Sequence, residues 1–512
     1  QVWDLYGLAQ EIWSACVSHC GPLCVMRLSL AVFSAHASAA AVCGGVEEKL
    51  KCGTCMDIAD GQPCERYNTC ECMSPEHLTK GCIAAGFCDP IVAGPAVNEE
   101  FGLRVAKAHG KRDYGLVRVS VVTQSAEAPE AGFFDYSSQF KYRWTDNYLH
   151  TGLKEVTPGK VNTFTIGKQT VSVKIPEAGA GAAGVMIADP CFRSTQFTSP
   201  IDCQFGDQFK TATRTPLLLN AFVGSSDTDF WSILGDNFYD REGNHSKEFF
   251  SKLTNQVKET PFVTVPGNHD YWVMGSPEAG VEADQCANGF MQFYGQDSEA
   301  SLVASPGEST APFNFTVDPS TTATSGCSRA SPDNSRFFHQ FGNVGIIGQS
   351  GAYTLEDYAA FMRESCQWLV KTKGIEVGVL VGHWDVGGLG AGDDMDVPSF
   401  YDELVAVPGC KEMAAAGNLK FFMGHTHCNV PHPHGHNDTG FMVAGQGMEG
   451  CANYGVPILD TTEGRTRVHY FDASTDEAFN AVTSCVTANG WRGCLNLAET
   501  WLDQPRTKTM VV

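Results

Sequence analysis

The chain has 512 residues, of which 43% are hydrophobic and 18% are charged, a composition typical of a globular protein with more than one hydrophobic core. Its net charge is −23, from 58 acidic and 35 basic residues. So negative a protein repels polyanions, which argues against a role in binding nucleic acid.

Cysteine usage indicates an oxidising compartment, because 21 cysteines are too many for a reducing one unless they bind metal. A zinc module would need regularly paired C-x-x-C sequences, and only Cys52 and Cys55 have that spacing. We therefore predict disulfides and a secreted, extracellular or lumenal protein. Three glycosylation sequences fit the same location, each a weak signal alone: Asn244, Asn314 and Asn437.

The first part of the chain has the pattern of a secretory leader. Met26 and Arg27 open an apolar run that ends in the small residues Ala37 to Ala39. A basic start, a short apolar run and a small-residue site predict a signal peptide over 26–41 within a leader of 1–42; a short buried helix is the alternative. No apolar run of 18 or more residues appears elsewhere, so no membrane-spanning segment is expected.

Composition then changes along the chain. Eight cysteines and few large apolar residues in 43–92 predict a small Cys-rich disulfide module, a binding or protective element or a mere cap, whose pairing and partner stay open. Alternating and β-branched residues in 98–180 predict an antiparallel β-sandwich domain. Short apolar strands alternate with helices over 184–475, which predicts an α/β domain, and 476–512 is a C-terminal extension.

Within the α/β domain two segments stand out. Thr215 to Phe222 predicts a short helix, with Thr215 as its N-cap and Pro216 at its first position. The stretch 275–334 is rich in Ser, Thr, Pro and Gly and predicts a long insertion or lid.

Polar motifs follow four of the apolar strands directly. In one-letter code they are GDNFY from Gly235, GNHD from Gly267, GHWD from Gly382 and GHTH from Gly424. Ligand sites of α/β sheets lie at the carboxyl ends of strands, and glycine lets each loop turn sharply enough to converge there. Any one motif alone is an ordinary turn or a polar strand end, whereas four together indicate one metal-binding site.

In this order the motifs resemble those of the calcineurin-like metallophosphoesterases, and most closely those of the purple (tartrate-resistant type) acid phosphatases. The resemblance covers about 184–472. It implies a four-layer αββα metallophosphoesterase sandwich, here preceded by the Cys-rich module and the antiparallel β-sandwich domain. A β-sandwich ahead of the catalytic domain is familiar from larger purple phosphatases.

The resemblance also implies a site for two metal ions. Asp236 would bridge both, because a carboxylate offers two oxygens. Tyr239, as a phenolate that favours Fe(III), and His427 would bind the first metal. Asp189 is the best match to the remaining ligand of that metal, although Cys191 stands where the family has Gly or His; the alternative is a turn aspartate and a weakened site.

Three residues would bind the second metal, which the resemblance implies is Zn, Mn or Fe(II): Asn268, His383 and His425. His269 would be catalytic, contacting the phosphate or protonating the leaving alkoxide. The two cations would lower the pKa of a water, so that hydroxide attacks the phosphorus in line, and would neutralise the charge that develops.

The family also has a substrate-contacting histidine a few residues beyond its Gly-His motif, and this chain departs from that pattern. The corresponding segment carries aspartates: Asp393, Asp394 and Asp396. Three histidines after the last motif are candidate substitutes, with a solvated loop as the alternative: His432, His434 and His436.

Two disulfides are suggested near the predicted ligands. Cys191 has Cys203 as its nearest downstream partner, and a bond from Cys428 to Cys451 would brace the loop that carries His427. Free buried thiols are the alternative.

Three functions follow from these patterns. The leading one is a secreted phosphatase that hydrolyses small phosphate monoesters. A phosphodiesterase or nucleotide pyrophosphatase on the same site is the second, because leaving-group choice lies in loops such as 275–334. The third is a binding or scaffold protein that kept the fold and lost turnover, which the Cys191 position and the missing histidine motivate.

Overall fold

The structure, a computed structural model, describes residues 102–137, 148–192, 206–237, 239, 244–270, 290, 294–298, 335–351, 355–385, 396–432, 439–444 and 451–506. The predicted signal peptide, the Cys-rich module and most of the 275–334 insertion lie outside these residues.

Two small antiparallel sheets come first. Four strands pair in the order β1-β2-β4-β3, with bounds β1 Arg104–Lys107, β2 Leu116–Thr123, β3 Tyr136–Ser137 and β4 Tyr148–Glu155. A hairpin of β5 Asn162–Ile166 and β6 Gln169–Val173 follows. Alternating Val and Ile side chains of both sheets form one buried core. A separate domain with the bounds 98–180 stays a prediction.

Two six-stranded sheets form the centre of the fold. The first has the order β18-β17-β16-β7-β8-β9, with bounds β7 Ala183–Ile187, β8 Phe230–Leu234, β9 Phe262–Val265, β16 Gly455–Asp460, β17 Arg465–Asp472 and β18 Glu499–Pro505. The second has the order β10-β11-β12-β13-β15-β14, with bounds β10 Phe337–Phe341, β11 Val344–Gly348, β12 Val377–Gly382, β13 Leu419–Met423, β14 Val430–Pro431 and β15 Gly440–Met442. Strands β7, β8 and β9 are parallel, as are β11, β12, β13 and β15.

Helices cover the outer face of each sheet. Their bounds are α1 Thr211–Phe222, α2 Asn244–Ser251, α3 Asn255–Glu259, α4 Leu355–Lys371, α5 Val397–Ala406, α6 Cys410–Ala415 and α7 Asp476–Asn489. One buried core lies between the sheets, a second joins the first sheet to α1, α2, α3 and α7, and a third joins the second sheet to α4, α5 and α6. The predicted αββα sandwich is confirmed. None of the helices in the described residues is long and apolar enough to cross a membrane.

Two elements differ from their predicted extent. Helix α1 begins at Thr211 rather than Thr215, so Pro216 lies inside the helix. The segment predicted as an extension from 476 onward continues the sandwich. Phe479 and Val482 of α7 pack in the core between the first sheet and its helices, and β18 pairs with β17. Burial of that apolar helical face holds the segment in the fold.

A buried ion pair joins the first small sheet to the α/β sandwich. The carboxylate of Asp297 accepts hydrogen bonds from Arg118 at 2.7 Å and from Arg112 at 2.9 Å, and Arg118 and Asp297 have no exposed side-chain surface. Burial alone would raise the pKa of Asp297, but the two guanidinium groups hold it well below its usual range.

Replacing Asp297 by Ala is expected to lower the free energy of unfolding by about 3–5 kcal/mol, because Arg118 is then a buried charge without its partner. Urea unfolding measures the change. Asp503→Ala, which removes the half-exposed pairs with Arg465 and Arg467, is the matched control and should cost less than about 1 kcal/mol. Equal losses of unfolding free energy in the two variants would contradict the assignment of Arg118 and Asp297 as a buried ion pair.

Because the pKa of Asp297 is depressed, its contribution to stability is present above about pH 4 and is lost as the pH falls further.

Candidate metal centre

Parallel register brings the four motifs to the same edge of the sandwich. Strands β7, β8 and β9 end together in one sheet, and β12 and β13 end together in the other. The loops after them turn abruptly. Eight non-glycine residues in the described part of the chain have positive φ angles, and five belong to these loops: Asp189, Asp236, Tyr239, His425 and His427. Such backbone strain concentrates at functional sites, where surrounding packing enforces it.

Two glycines allow the loops to approach closely. A Cβ on Gly267 would lie 2.3 Å from the Oδ1 of Asp236, and one on Gly235 would lie 2.4 Å from the Nδ1 of His383. Gly235 also has a φ of 86°. A larger residue at either position would push two of the predicted ligands apart.

The predicted ligands form two groups that share one carboxylate. Ligand atoms of Asp236, His383 and His425 all lie within 4.8 Å of one another, and so do those of Asp189, Asp236 and His427. These are the two triads expected of a pair of cations with Asp236 between them.

Tyr239 and Asn268 join the same cluster. The phenol oxygen of Tyr239 lies 3.3 Å from the Oδ1 of Asp189 and 3.3 Å from the Nε2 of His427. The amide oxygen of Asn268 lies 3.1 Å from the Nε2 of His383. All seven predicted ligands are therefore brought together around Asp236.

His269 lies beside the cluster without joining either triad. Its backbone N–H donates to the Oδ1 of Asp236 at 2.8 Å, and its ring centroid lies 4.8 Å from that of Tyr239. The ring Nδ1 is buried and has no hydrogen-bond partner in the described residues. This imidazole is positioned to contact a ligand of the cluster.

The donor set fits two metal ions. The Oδ2 of Asp236 is buried and has no hydrogen-bond partner among the described residues, although the Nε2 of His383 lies 3.3 Å away. A buried carboxylate oxygen left without a partner is costly, and a cation would satisfy it. Carboxylate, phenol, amide and imidazole donors suit Fe, Zn and Mn better than a soft metal.

The charges of the cluster couple its protonation states. Burial raises the pKa of Asp236, but nearby histidines outweigh it and lower that pKa well below its usual range. Burial lowers the pKa of His383, but Asp236 and Asp189 outweigh it and raise that pKa to about 9. Burial, with the charge of His383, lowers the pKa of His425 to about 4.

The surroundings of Tyr239 favour its neutral phenol form. Burial and the negative charges of Asp189 and Asp236 raise its pKa well above 10. The phenolate form therefore requires a strongly positive charge at the site, which is what a trivalent cation would supply.

Asp270 is the last residue of the GNHD motif, and the motif alone does not assign it a role. Its carboxylate accepts the Gly267 N–H at 2.7 Å, the Asn237 N–H at 2.8 Å and the Asn237 amide at 2.9 Å. Burial and the charge of Asp236 raise its pKa to about 7. Asp270 therefore ties the loop after β8 to the loop after β9. The signal was its place in the GNHD motif.

A backbone contact orients His383. Its Nδ1 donates to the carbonyl oxygen of Leu234 at 2.8 Å, since a carbonyl can only accept. The Nε2 is thereby turned toward Asp236 and left free to bind a metal.

Of the residues that depart from the family pattern, the two that lie within the described residues have separate structural roles. Asp396 is the N-cap of α5 and accepts the Ser399 N–H at 2.7 Å. His432 is buried, with its Nε2 3.6 Å from the Oδ1 of Asp385, so it does not belong to a solvated loop. The other residues of these two groups, Asp393, Asp394, His434 and His436, lie outside the described residues.

A disulfide begins directly after the last predicted ligand. Cys428 is bonded to Cys451, as suggested from the sequence, and Cys428 follows His427 in the chain. Cys191 is also disulfide-bonded, and its suggested partner Cys203 lies outside the described residues. The loop that carries His427 is therefore covalently anchored.

Replacing Cys451 by Ser is expected to weaken metal binding about 10–100-fold, the usual cost of losing a contact that orients a metal ligand. Equilibrium dialysis against a chelator measures the change. Cys485→Ser is the matched control, because it opens the Cys485–Cys494 disulfide, which lies outside the ligand loops. Unchanged metal affinity in Cys451→Ser would show that the disulfide does not hold the ligand loop.

Metal uptake should release a proton from His383 at neutral pH, because its pKa of about 9 keeps the ring protonated before the cation binds. The number of protons released should fall by about one between pH 7 and pH 10, where His383 is already neutral. His425, with a pKa of about 4, contributes none in this range. Calorimetry in buffers of different ionisation enthalpy counts the protons. A release that does not change with pH would contradict the assigned charge of His383.

Comparison with known proteins finds one matching family model and several solved structures of low sequence identity. Residues 204–429 match the family model described as calcineurin-like phosphoesterase. No curated protein sequence matches the chain.

Several solved structures resemble the chain weakly, including the following three. The purple acid phosphatase PPD1 from yellow lupin (Lupinus luteus) seeds has 13% identity over 73% of this chain and 72% of that chain, with a TM-score of 0.48. The structure of PhoD has 11% identity over 76% of this chain and 89% of that chain, with a TM-score of 0.38. A dimetal phosphatase from Danio rerio has 10% identity over 57% of this chain and 96% of that chain, with a TM-score of 0.29. Resemblances this weak carry no argument about activity.

Proposed function

Because the chain contains a calcineurin-like metallophosphoesterase domain, as its motifs predicted, we propose that it is a secreted phosphatase that hydrolyses small phosphate monoesters at a dinuclear metal centre. One observation carries the proposal. Asp236 belongs to both candidate ligand groups, so the site is built for two adjacent cations rather than one.

The two halves of the site differ in chemistry. The half with the phenol, made by Asp189, Tyr239 and His427, suits Fe(III), because a phenolate is a hard anionic ligand. The other half, made by Asn268, His383 and His425, suits Zn, Mn or Fe(II). When bound, the two cations would activate a water and neutralise negative charge on the phosphoryl oxygens.

The protein residues supply position and a proton. Gly235, Gly267 and Asp270 hold the ligand loops at contact distance, so little reorganisation is needed when substrate arrives. The backbone N–H of His269 is bound to Asp236, which places its ring at the rim of the centre. A protonated imidazole there would donate to the leaving oxygen as the ester bond breaks.

Secretion rests on the cysteines. Three disulfides lie within the described residues, and structural disulfides persist in oxidising compartments. The predicted signal peptide over 26–41 agrees with that location.

Replacing Asp236 by Asn is expected to reduce kcat/KM for p-nitrophenyl phosphate more than about 100-fold and to lower bound metal from two equivalents to one or fewer. The neutral amide has a single oxygen and cannot bridge two cations as the carboxylate would. Asp402→Asn, on the exposed face of α5, removes the same charge away from the site and should change neither kcat/KM nor the metal content.

Wild-type activity against bis(p-nitrophenyl) phosphate above that against the monoester would favour the phosphodiesterase instead. A wild-type protein with substoichiometric metal and no turnover would favour the scaffold.

Replacing His269 by Gln should reduce kcat for an alkyl phosphate by about 10²–10⁴-fold, because an alkoxide needs a proton to leave. The loss should be smaller for p-nitrophenyl phosphate, whose leaving group is stable without one. Metal content should stay at the wild-type value, since His269 belongs to neither triad. Equal losses on both substrates would show that the imidazole does not donate this proton.

A further inference from the structure

A second cavity, of about 630 Å³, lies away from the metal centre, where the turn after β1, the connection before β7 and the end of α4 meet. It is large enough for a small organic ligand. Its lining includes Lys107, His109, Arg112, Lys373 and Gly374.

The cavity has the opposite charge to the protein. Three of its lining residues are cationic and none is acidic, on a chain with a net charge of −23. Arg112 shares Asp297 with Arg118, so one carboxylate balances two guanidinium groups. Lys107 and Lys373 pair with no carboxylate among the described residues. The local excess of positive charge therefore suits a ligand with two negative charges.

The ammonium group of Lys107 is positioned to bind a ligand rather than to face solvent. Its side chain is buried, and its ammonium group donates to the backbone oxygens of Tyr114 at 2.5 Å and Leu116 at 3.0 Å. An ammonium group has three hydrogens, so one is left for a further acceptor. Burial lowers the pKa of Lys107 to about 7, against the opposing charge of Asp297, and an anion in the cavity would restore its charged form.

His109 supplies a second buried donor. Its Nδ1 accepts the backbone N–H of Lys111 at 3.3 Å, and burial with the charge of His339 lowers the pKa of the ring to about 3. In the neutral ring the proton is therefore on Nε2, which is buried without a partner among the described residues. A buried donor without an acceptor is unfavourable, and a ligand oxygen that reached it would relieve that cost.

The cavity lies at the opposite end of the sandwich from the metal centre. Gly374 precedes β12, whereas the ligand His383 follows its last residue, Gly382. Six strand residues, at about 3.3 Å each, separate the two ends by roughly 20 Å. A ligand in the cavity therefore cannot touch the predicted metals.

We propose that this cavity is a second binding site that takes a phosphate-type dianion, either free phosphate or the phosphoryl group of a small organic ligand. Lys107 and Lys373 supply the charge that selects it, and Arg112 provides a further cation at the wall. A monocarboxylate has too little charge to compensate for the desolvation of these groups.

The test is calorimetric titration of the metal-loaded protein with inorganic phosphate. Two binding events are expected, one at the metal centre and one in the cavity. Lys373→Glu should weaken the second event at least about tenfold, and Lys107→Met should do the same, while the inhibition constant of phosphate at the metal centre stays unchanged. Lys371→Glu is the matched control, because this exposed residue ends α4 just before Lys373 but does not line the cavity.

The choice of probe separates the two sources of the anion. Phenylphosphonate, which is not hydrolysed as an ester, should bind the cavity more tightly than inorganic phosphate if the ligand carries an organic group, and less tightly if it is free phosphate. Acetate should not bind. The proposal would be overturned if Lys373→Glu weakened no phosphate-binding event of the wild type, or if Lys371→Glu weakened the same event equally. Counting binding events needs no turnover, so the result stands even if the phosphatase proposal fails.

Discussion

The structure depends on one buried carboxylate that the protein alone does not satisfy. Asp236 has one oxygen bound by the backbone of His269 and another without a hydrogen-bond partner in the described residues. Leaving that oxygen unpaired in a buried position is unfavourable, and two adjacent cations remove the penalty. The negative charge of Asp236, with that of Asp189, raises the pKa of His383, and burial together with the same two carboxylates raises the pKa of Tyr239.

The sandwich provides the rigidity that such a site requires. Parallel strands in both sheets end at one edge, and the buried core between the sheets fixes their spacing. The loops then adopt strained backbone angles that isolated turns would avoid. Asp270, the glycines at 235 and 267, and the Cys428–Cys451 disulfide hold these angles in place. Stability in the sheets thus supports strain at the loops.

The sequence predicted the strands and the polar motifs because both signals are local: a run of apolar residues marks each strand, and the motif comes directly after it. The sandwich and the candidate ligands were implied by the resemblance of these motifs to those of a known family. Features that depend on contacts between distant segments were not predicted from the sequence. The burial of Phe479 against the first sheet and the pairing of Asp297 with Arg118 join segments far apart in the chain. Pro216 indicated a helix start locally, but the helix begins a turn earlier. Asp270 stood in a recognised motif, yet its role appeared only once its three hydrogen bonds were seen.

Anomalous diffraction from crystals of the metal-loaded protein, recorded at the absorption edges of iron and zinc or manganese, tests the central claim most directly. Two peaks about 3.5–4 Å apart are predicted, with the carboxylate of Asp236 between them and Tyr239 on the iron side. A single peak, or two peaks that do not share Asp236, would contradict the account.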